Sequence, residues 1–184
     1  MEEKSLRAIL DPAIINLNVE GTTKDEVLRY LAEDLLQNGY IDSVDQFVSD
    51  IYEREAEGPT GMGEGISIPH GHSSAAKKIG IAIGKTLNPI PWESDVTDDG
   101  TQETSMIFLF CVPANGDFIA NHQMLLSQLA TKLGCDARVA KLPTCRTVEE
   151  IVETLLCDDD DLEAVESKEE IVELDIEFDI HHSS

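Results

Sequence analysis

Apolar and polar residues follow two different periods along this chain, and these periods predict where strands and helices lie. Within residues 13–19, Ile15, Leu17 and Val19 alternate with two asparagines, as expected for a half-buried strand. Three further apolar segments predict strands: residues 65–68, 79–87 and 105–112. The last of these segments is apolar throughout, so we expect both of its faces to be covered.

Four segments with apolar residues at helical spacing predict helices. Three of them begin with a capping-box pattern: Thr23 with Glu26, Ser43 with Gln46, and Thr147 with Glu150. We expect these three helices to end at Gly39, near Arg54 and near Leu156. The fourth helix is predicted for residues 121–133, where leucines occupy one face and Gly134 follows.

The connections and the length define the fold class. Residues 88–100 contain two prolines and an Asp-Asp-Gly sequence, so we predict a surface loop between the last two strands. Strands interleaved with helices on this scale indicate an α/β fold built from packed layers. A chain of 184 residues suits one such domain.

The character of the sequence changes after Cys157. We therefore assign residues 1–157 to the domain and residues 158–184 to an acidic C-terminal extension. Within this extension, residues 173–180 alternate apolar with acidic side chains, which predicts an extra edge strand that pairs with the same chain or with a second copy in a homodimer. The alternative is a flexible acidic tail, which the composition of the extension also favours.

Net charge narrows the range of partners. The chain has 37 acidic and 13 basic residues, a formal net charge of -24. Such a surface repels nucleic acid and anionic membranes, so we expect neither as a partner; the charge keeps the protein soluble or steers a basic protein partner.

The longest apolar run, MIFLFCV, is far short of the ~20 residues of a spanning helix, and no leader sequence is apparent. We therefore expect a cytoplasmic protein without membrane insertion. The four widely spaced cysteines predict reduced thiols.

His70 follows an apolar run and a proline in the segment GISIPHGHSS at 65–74. Three interpretations are open: a packed structural histidine, a metal ligand, or a nucleophile that carries a phosphoryl group. Gly71 and two serines leave space beside the ring, which favours a reactive role. A metal site would combine His70 with His72 and His122, but no carboxylate or thiolate at a suitable spacing completes the ligand set.

A histidine that carries a phosphoryl group needs neighbours that bind the phosphoryl oxygens. Arg54 offers a planar, permanently charged guanidinium, and His122 offers a second ring. Each also has a structural interpretation, Arg54 as a solvated helix arginine paired with a glutamate and His122 as a histidine at the edge of the core. The candidate catalytic residues are thus His70, His122 and Arg54, and no metal-binding or cofactor-binding residue is predicted.

Four segments, in their order and spacing, resemble enzyme IIA of the fructose/mannitol type in the bacterial sugar phosphotransferase system. They are REAEGPTGMGEGISIPHG at 54–71, GIAIGKTLNPIPW at 80–92, MIFLFCVP at 106–113 and NHQMLLSQLATKL at 121–133. The resemblance covers roughly residues 5–156. It implies a mixed sheet of about five strands flanked by helices, with the active histidine at the end of a strand.

The resemblance also implies a role for each candidate residue. His70 would accept the phosphoryl group, His122 would be the second active-site histidine, and Arg54 would lie beside the phosphoryl group. The donor would be the phosphorylated carrier protein HPr, and the acceptor an enzyme IIB domain that serves sugar uptake. The intermediate would be a covalent phosphohistidine, with no cofactor. Ser67 and His72 depart from the family pattern, which often has alanine and lysine there.

Two functions share this motif. One is a relay component that passes phosphate toward a sugar, and the other is a regulatory module of the nitrogen-related type, in which phosphorylation of His70 controls partner binding. The resemblance does not select one sugar or polyol, because enzyme IIA contacts proteins and not the sugar.

Overall fold

A computed structural model describes residues 5–115 and 119–162, and in it six strands form one mixed sheet. The strands are β1 Ile15–Val19, β2 Gly61–Gly63, β3 Ile66–Ser67, β4 His72–Ser73, β5 Gly80–Glu93 and β6 Thr101–Pro113. Their order is β1-β5-β6-β3-β2, and β4 pairs with β6 beyond β3. β1 is parallel to β5, β5 is antiparallel to β6, and both β3 and β4 are parallel to β6. The predicted α/β class with a mixed sheet is confirmed, with six strands where about five were expected.

Three of the six described α-helices, those capped by Thr23, Ser43 and Thr147, begin where the capping residues predict. They are α1 Leu6–Ile9, α2 Lys24–Gln37, α3 Val44–Glu55, α4 Ile119–Leu133, α5 Asp136–Lys141 and α6 Val148–Leu156. The side-chain oxygens of Thr23, Ser43 and Thr147 each accept a hydrogen bond from the backbone N–H three residues later, which satisfies a free donor of the first turn. The pattern did not predict α1 and α5, which are too short to show a helical period.

Alternate side chains of β6 enter two separate hydrophobic cores. Ile107, Leu109 and Cys111 pack with α2 and α3 on one face of the sheet. Met106, Phe108, Phe110 and Val112 pack with α1, α4 and α6 on the other face. The prediction that the segment 105–112 is covered on both faces is therefore confirmed, and the molecule has three layers.

The prediction of a surface loop over residues 88–100 is wrong for its first half. β5 continues through Pro89 and Pro91 to Glu93, with an irregular register between Lys85 and Ile90. β1 pairs with β5 only as far as Thr86. Beyond Thr86 no described strand flanks this edge of β5, so proline, which lacks an N–H group, is tolerated at positions 89 and 91. The loop itself is confined to the residues between β5 and β6.

Arg138 of α5 binds the end of α6 and the residues that follow it, where the described part of the chain ends. Its buried guanidinium donates to the backbone carbonyls of Lys132, Thr154 and Cys157 and pairs with the Asp159 carboxylate at 2.7 Å. Residues 173–180, where an edge strand was predicted, lie outside the described residues. None of the helices in the described part of the chain is long and apolar enough to cross a membrane. All four cysteines are free thiols.

Candidate functional site

His70 lies in the short connection that leaves β3 and leads into β4. Two backbone hydrogen bonds fix this connection: the Ile68 N–H donates to the Thr60 carbonyl at 3.0 Å, and the Phe110 N–H donates to the Pro69 carbonyl at 3.0 Å. The connection is thus tied to the loop before β2 on one side and to the central strand β6 on the other. The backbone of His70 is held at the end of a strand, where the family resemblance predicts it.

A hydrogen bond to the main chain determines the tautomer of the His70 ring. Its Nδ1 lies 2.8 Å from the carbonyl oxygen of Ile68. A carbonyl oxygen can only accept, so Nδ1 carries the proton and the lone pair of the neutral ring is on Nε2. Burial lowers the pKa of this half-buried ring, and the hydrogen bond to Ile68 opposes that effect in part. The neutral, nucleophilic form is therefore favoured at neutral pH.

Arg54 lies in the last turn of α3, close to the His70 connection. Its Nη1 donates to the Gly58 carbonyl at 3.0 Å, and its Nε is 4.0 Å from a carboxylate oxygen of Glu57. With 31% of its side chain exposed, the guanidinium has further N–H donors near solvent that bind none of the residues described in the structure. The approach is close because residue 71 is glycine: a Cβ there would lie 3.3 Å from the Arg54 Cβ.

His122 lies in the first turn of α4 and is only 5% exposed. Among the residues that the structure describes, neither of its ring nitrogens has a hydrogen-bond partner. Its ring centroid is 5.8 Å from that of His70 and 5.7 Å from that of Phe110. Burial, with smaller contributions from His70 and His72, lowers the pKa of His122 to about 4, so the ring is neutral at pH 7. A buried ring with an unused N–H is suited to donate to a ligand that enters beside His70.

The three candidate residues line one open cleft with a volume of about 500 Å³. The structure therefore brings His70, His122 and Arg54 together, although they lie on three separate elements. His72 also lines this cleft, with its ring edge-on to His122 at a centroid distance of 5.2 Å. Sequence reasoning left the role of His72 open, and the geometry makes it a third histidine of the site.

Sequence reasoning missed the acidic wall of the cleft. Asp50, Glu53 and Glu57 line it together with Arg54. Asp50, Glu53 and Arg54 are spaced at i, i+3 and i+4 on one face of α3, and Glu57 follows just after the helix, so the signal was present in the sequence. What the sequence did not show is that this face is turned toward His70. The described residues contain no group of three histidine, cysteine, aspartate or glutamate side chains that could hold a metal ion.

The fold and the cleft together define a class of protein. It is a three-layer α/β domain with one open cleft, which contains a histidine whose tautomer is fixed by a hydrogen bond, an arginine and a second, buried histidine. The family model of the phosphoenolpyruvate-dependent sugar phosphotransferase system, EIIA 2, matches residues 8–157. The chain therefore belongs to this phosphotransferase family, as its resemblance in sequence predicts.

Related proteins span different lengths. The chain is 32% identical over 139 residues to the 2-O-α-mannosyl-D-glycerate-specific EIIABC component of Escherichia coli, a match that covers 76% of this chain and 20% of the relative. It is 29% identical over 133 residues to the fructose-specific EIIA component of Haloferax volcanii, which covers 72% of this chain and 82% of that protein. This chain thus spans about a fifth of the first relative and most of the second.

Solved structures share the fold. The nitrogen regulatory protein IIA-Ntr from Neisseria meningitidis is 28% identical with a TM-score of 0.70, over 82% of this chain and 98% of that one. The mannitol IIA protein of Escherichia coli has a TM-score of 0.64 at 23% identity, over 79% of this chain and 98% of that one. The mixed sheet flanked by helices is therefore the fold of IIA proteins.

Proposed function

We propose that this protein is an enzyme IIA component that accepts a phosphoryl group from phosphorylated HPr on Nε2 of His70 and passes it to an enzyme IIB domain. The observation that carries the proposal is the 2.8 Å hydrogen bond from Nδ1 of His70 to the Ile68 carbonyl, within the cleft that Arg54 and His122 also line. It supports Nε2 as the attacking atom, because only that nitrogen retains a lone pair. Membership of a phosphotransferase family supports the same chemistry.

The transfer is a displacement at phosphorus. Nε2 of His70 forms a bond to phosphorus as the bond between phosphorus and the donor nitrogen breaks, and the donor keeps that electron pair. In the second half-reaction the acceptor of the IIB domain takes the phosphorus, and His70 returns to its neutral form with the proton still on Nδ1. No cofactor enters either step.

Positioning and charge stabilisation are the tasks left to the protein. The transition state of phosphoryl transfer is loose, and negative charge is spread over the three equatorial oxygens. Arg54 supplies a fixed positive charge with N–H donors, and His122 supplies a neutral N–H from a buried position. The site must hold the group without trapping it, because the phosphoryl group has to leave again, and one cation with one neutral donor suits a relay.

Phosphorylation of purified variants tests this function. The chain is incubated with phosphoenolpyruvate, enzyme I and HPr, and the acid-labile mass gain is followed by mass spectrometry. We expect one phosphate on the native chain, none on His70→Ala, and a rate about 100-fold lower for Arg54→Ala and for His122→Ala. Long-range ¹H–¹⁵N spectra should place the phosphate on Nε2.

A matched control separates the site from the surface. Arg29 is an arginine outside the cleft that pairs with two aspartates, so Arg29→Ala should be phosphorylated at the native rate. A phosphate that persists in His70→Ala would assign the acceptor to another residue. A folded native chain that gains no phosphate would overturn the proposal.

One observation favours a second candidate function, regulation through phosphorylation. The similarity to the Neisseria nitrogen regulatory protein is substantial, with 28% identity and a TM-score of 0.70. The same His70 chemistry would then switch partner binding in place of feeding a sugar. Incubation of the phosphorylated chain with IIB domains of fructose and mannitol type distinguishes the two: transfer of the phosphate supports the relay, and retention supports regulation.

A further inference from the structure

The charged side chains that line the cleft are mostly acidic, although the phosphoryl group that the cleft is proposed to carry is itself negatively charged. Asp50, Glu53 and Glu57 contribute three carboxylates, and Arg54 contributes one guanidinium. A phosphoryl group adds about two further negative charges at neutral pH. With these three carboxylates close by, the phosphorylated cleft would concentrate negative charge around His70. A further positive charge beside His70 would offset part of this negative charge without entering the transfer step.

His72 is the group that can supply this charge. Its ring lines the cleft at 5.2 Å from His122 and is exposed to solvent, so it can exchange protons freely. His122 is a poor candidate because burial keeps its pKa at about 4, and His70 itself carries the phosphate. No lysine is among the described residues that line the cleft.

The backbone holds His72 at this position. β4 pairs with β6 through His72 opposite Val112 and Ser73 opposite Pro113. The neighbouring Ser73 donates its hydroxyl to the Asp50 carboxylate at 2.6 Å, which ties β4 to α3. The backbone of His72 is therefore held in place between the acidic wall and His122.

We propose that His72 takes up a proton from solvent when the phosphoryl group arrives on His70, and that the resulting imidazolium binds the phosphoryl oxygens at the mouth of the cleft. This inference rests on the proposed function of His70. The proton takes no part in making or breaking the N–P bond. It changes the charge of a neighbour only, so the displacement at phosphorus remains balanced as written above.

Linkage fixes the direction of the pH effect. If the phosphorylated form binds one more proton than the unphosphorylated form, a rise in pH favours the unphosphorylated form. The chain should therefore retain phosphate best at the acidic end of the range tested and release it more readily as the pH rises. A proton affinity raised tenfold by phosphate corresponds to a tenfold change in the phosphorylation equilibrium across that range.

The test is the equilibrium of phosphate exchange with HPr, measured from pH 6 to pH 9. The native chain is compared with His72→Gln, which has no charge, and with His72→Lys, which keeps its charge to higher pH. The titration of HPr is common to all three, so it cancels in the ratios between chains. We expect the native equilibrium to match His72→Lys at pH 6 and to approach His72→Gln at pH 9, a change of about tenfold.

Other outcomes overturn the proposal in distinguishable ways. If native and His72→Gln depend on pH in parallel, the dependence belongs to other groups, such as His122 or the carboxylates, and His72 has no such role. If all three chains are phosphorylated with one pH-independent equilibrium ratio, no proton is linked to phosphate. If none is phosphorylated although His70 is intact, the proposed function itself fails. A direct readout is the ¹H–¹⁵N titration of the His72 ring, which should move to higher pH on phosphorylation.

Discussion

His122 combines burial with ring nitrogens that lack a partner in the described part of the chain. A group of this kind lowers the stability of the protein when it must become charged. Its pKa is lowered to about 4 in the folded protein, whereas an unfolded chain has the ordinary value near 6.5. Between these two values the unfolded state binds a proton that the folded state does not, so stability is complete above pH 6.5 and falls as the pH drops toward 4.

We therefore predict that replacement of His122 removes part of the acid sensitivity of the protein. The difference in the free energy of unfolding between the native chain and His122→Leu should shift by roughly 1–3 kcal/mol between pH 7.5 and pH 4.5, in favour of the variant at acidic pH. Urea unfolding at a series of pH values measures this difference. The carboxylates titrate alike in both chains, so parallel stability curves would show that His122 is not a buried neutral histidine.

Gly71 allows the backbone of the His70 connection to approach α3. A Cβ at this position would lie 3.3 Å from both the Arg54 Cβ and the Asp50 carbonyl oxygen. Gly71→Ala should therefore move His70 and Arg54 apart by a few tenths of an ångström and lower the phosphorylation rate about tenfold, with a smaller effect on the melting temperature. The control is Gly58→Ala, since a Cβ at that position meets no atom within 4 Å. Equal rates for both variants would contradict the prediction.

At the scale of elements, an ion pair holds the end of α3 that carries Arg54. Lys24, at the start of α2, contacts Glu55 at 2.8 Å and Glu93 of β5 at 2.7 Å. Glu55 is 6% exposed and also accepts a hydrogen bond from Thr60. One lysine thus joins α2, α3 and β5 next to the residue that we expect to bind phosphate.

A double-mutant cycle measures the worth of this pair. Lys24→Met leaves the Glu55 carboxylate buried without its cation, and we predict a loss of about 3 kcal/mol in the free energy of unfolding. Lys24→Met combined with Glu55→Gln should recover part of the loss, because the stranded charge is removed. The exposed pair of Arg29 and Asp45 is the control, and Asp45→Asn should cost less than about 1 kcal/mol. Strictly additive losses from the two substitutions would show that the pair is not coupled.

At the scale of the whole molecule, the net charge of -24 acts against the folded state. Like charges repel more strongly when the chain is compact, and dissolved salt screens that repulsion. We predict that the melting temperature rises by about 5 °C between 0.01 M and 0.15 M NaCl, where the screening length falls from ~30 Å to ~8 Å. Screening levels off above this range, whereas a salting-out effect continues to grow linearly into the molar range. Calorimetry from 0.01 M to molar NaCl distinguishes screening from salting-out. A melting temperature that does not change below 0.15 M NaCl would contradict the prediction.

The elements that the sequence predicts well are those whose cause is local. A capping side chain such as Thr23 and the apolar period behind it act within one helix, so α2, α3 and α6 begin as predicted. The extension of β5 through Pro89 and Pro91 has no local cause. It depends on pairing with residues 101–104 of β6, and that pairing exists only after the chain has turned back on itself.

For the site, the sequence by itself determined the chemistry that is available: a histidine beside glycine, an arginine at a helix end and a second histidine ahead of leucines. The tertiary structure decided the rest, because each remaining property depends on an atom distant in sequence or on the exact fold of a turn. The Ile68 carbonyl sets which nitrogen of His70 is free, and burial sets the charge of His122. The meeting of α3, β4 and α4 places His72 and an acidic wall beside them. Burial and proximity are properties of the packed molecule, and a linear sequence does not contain them.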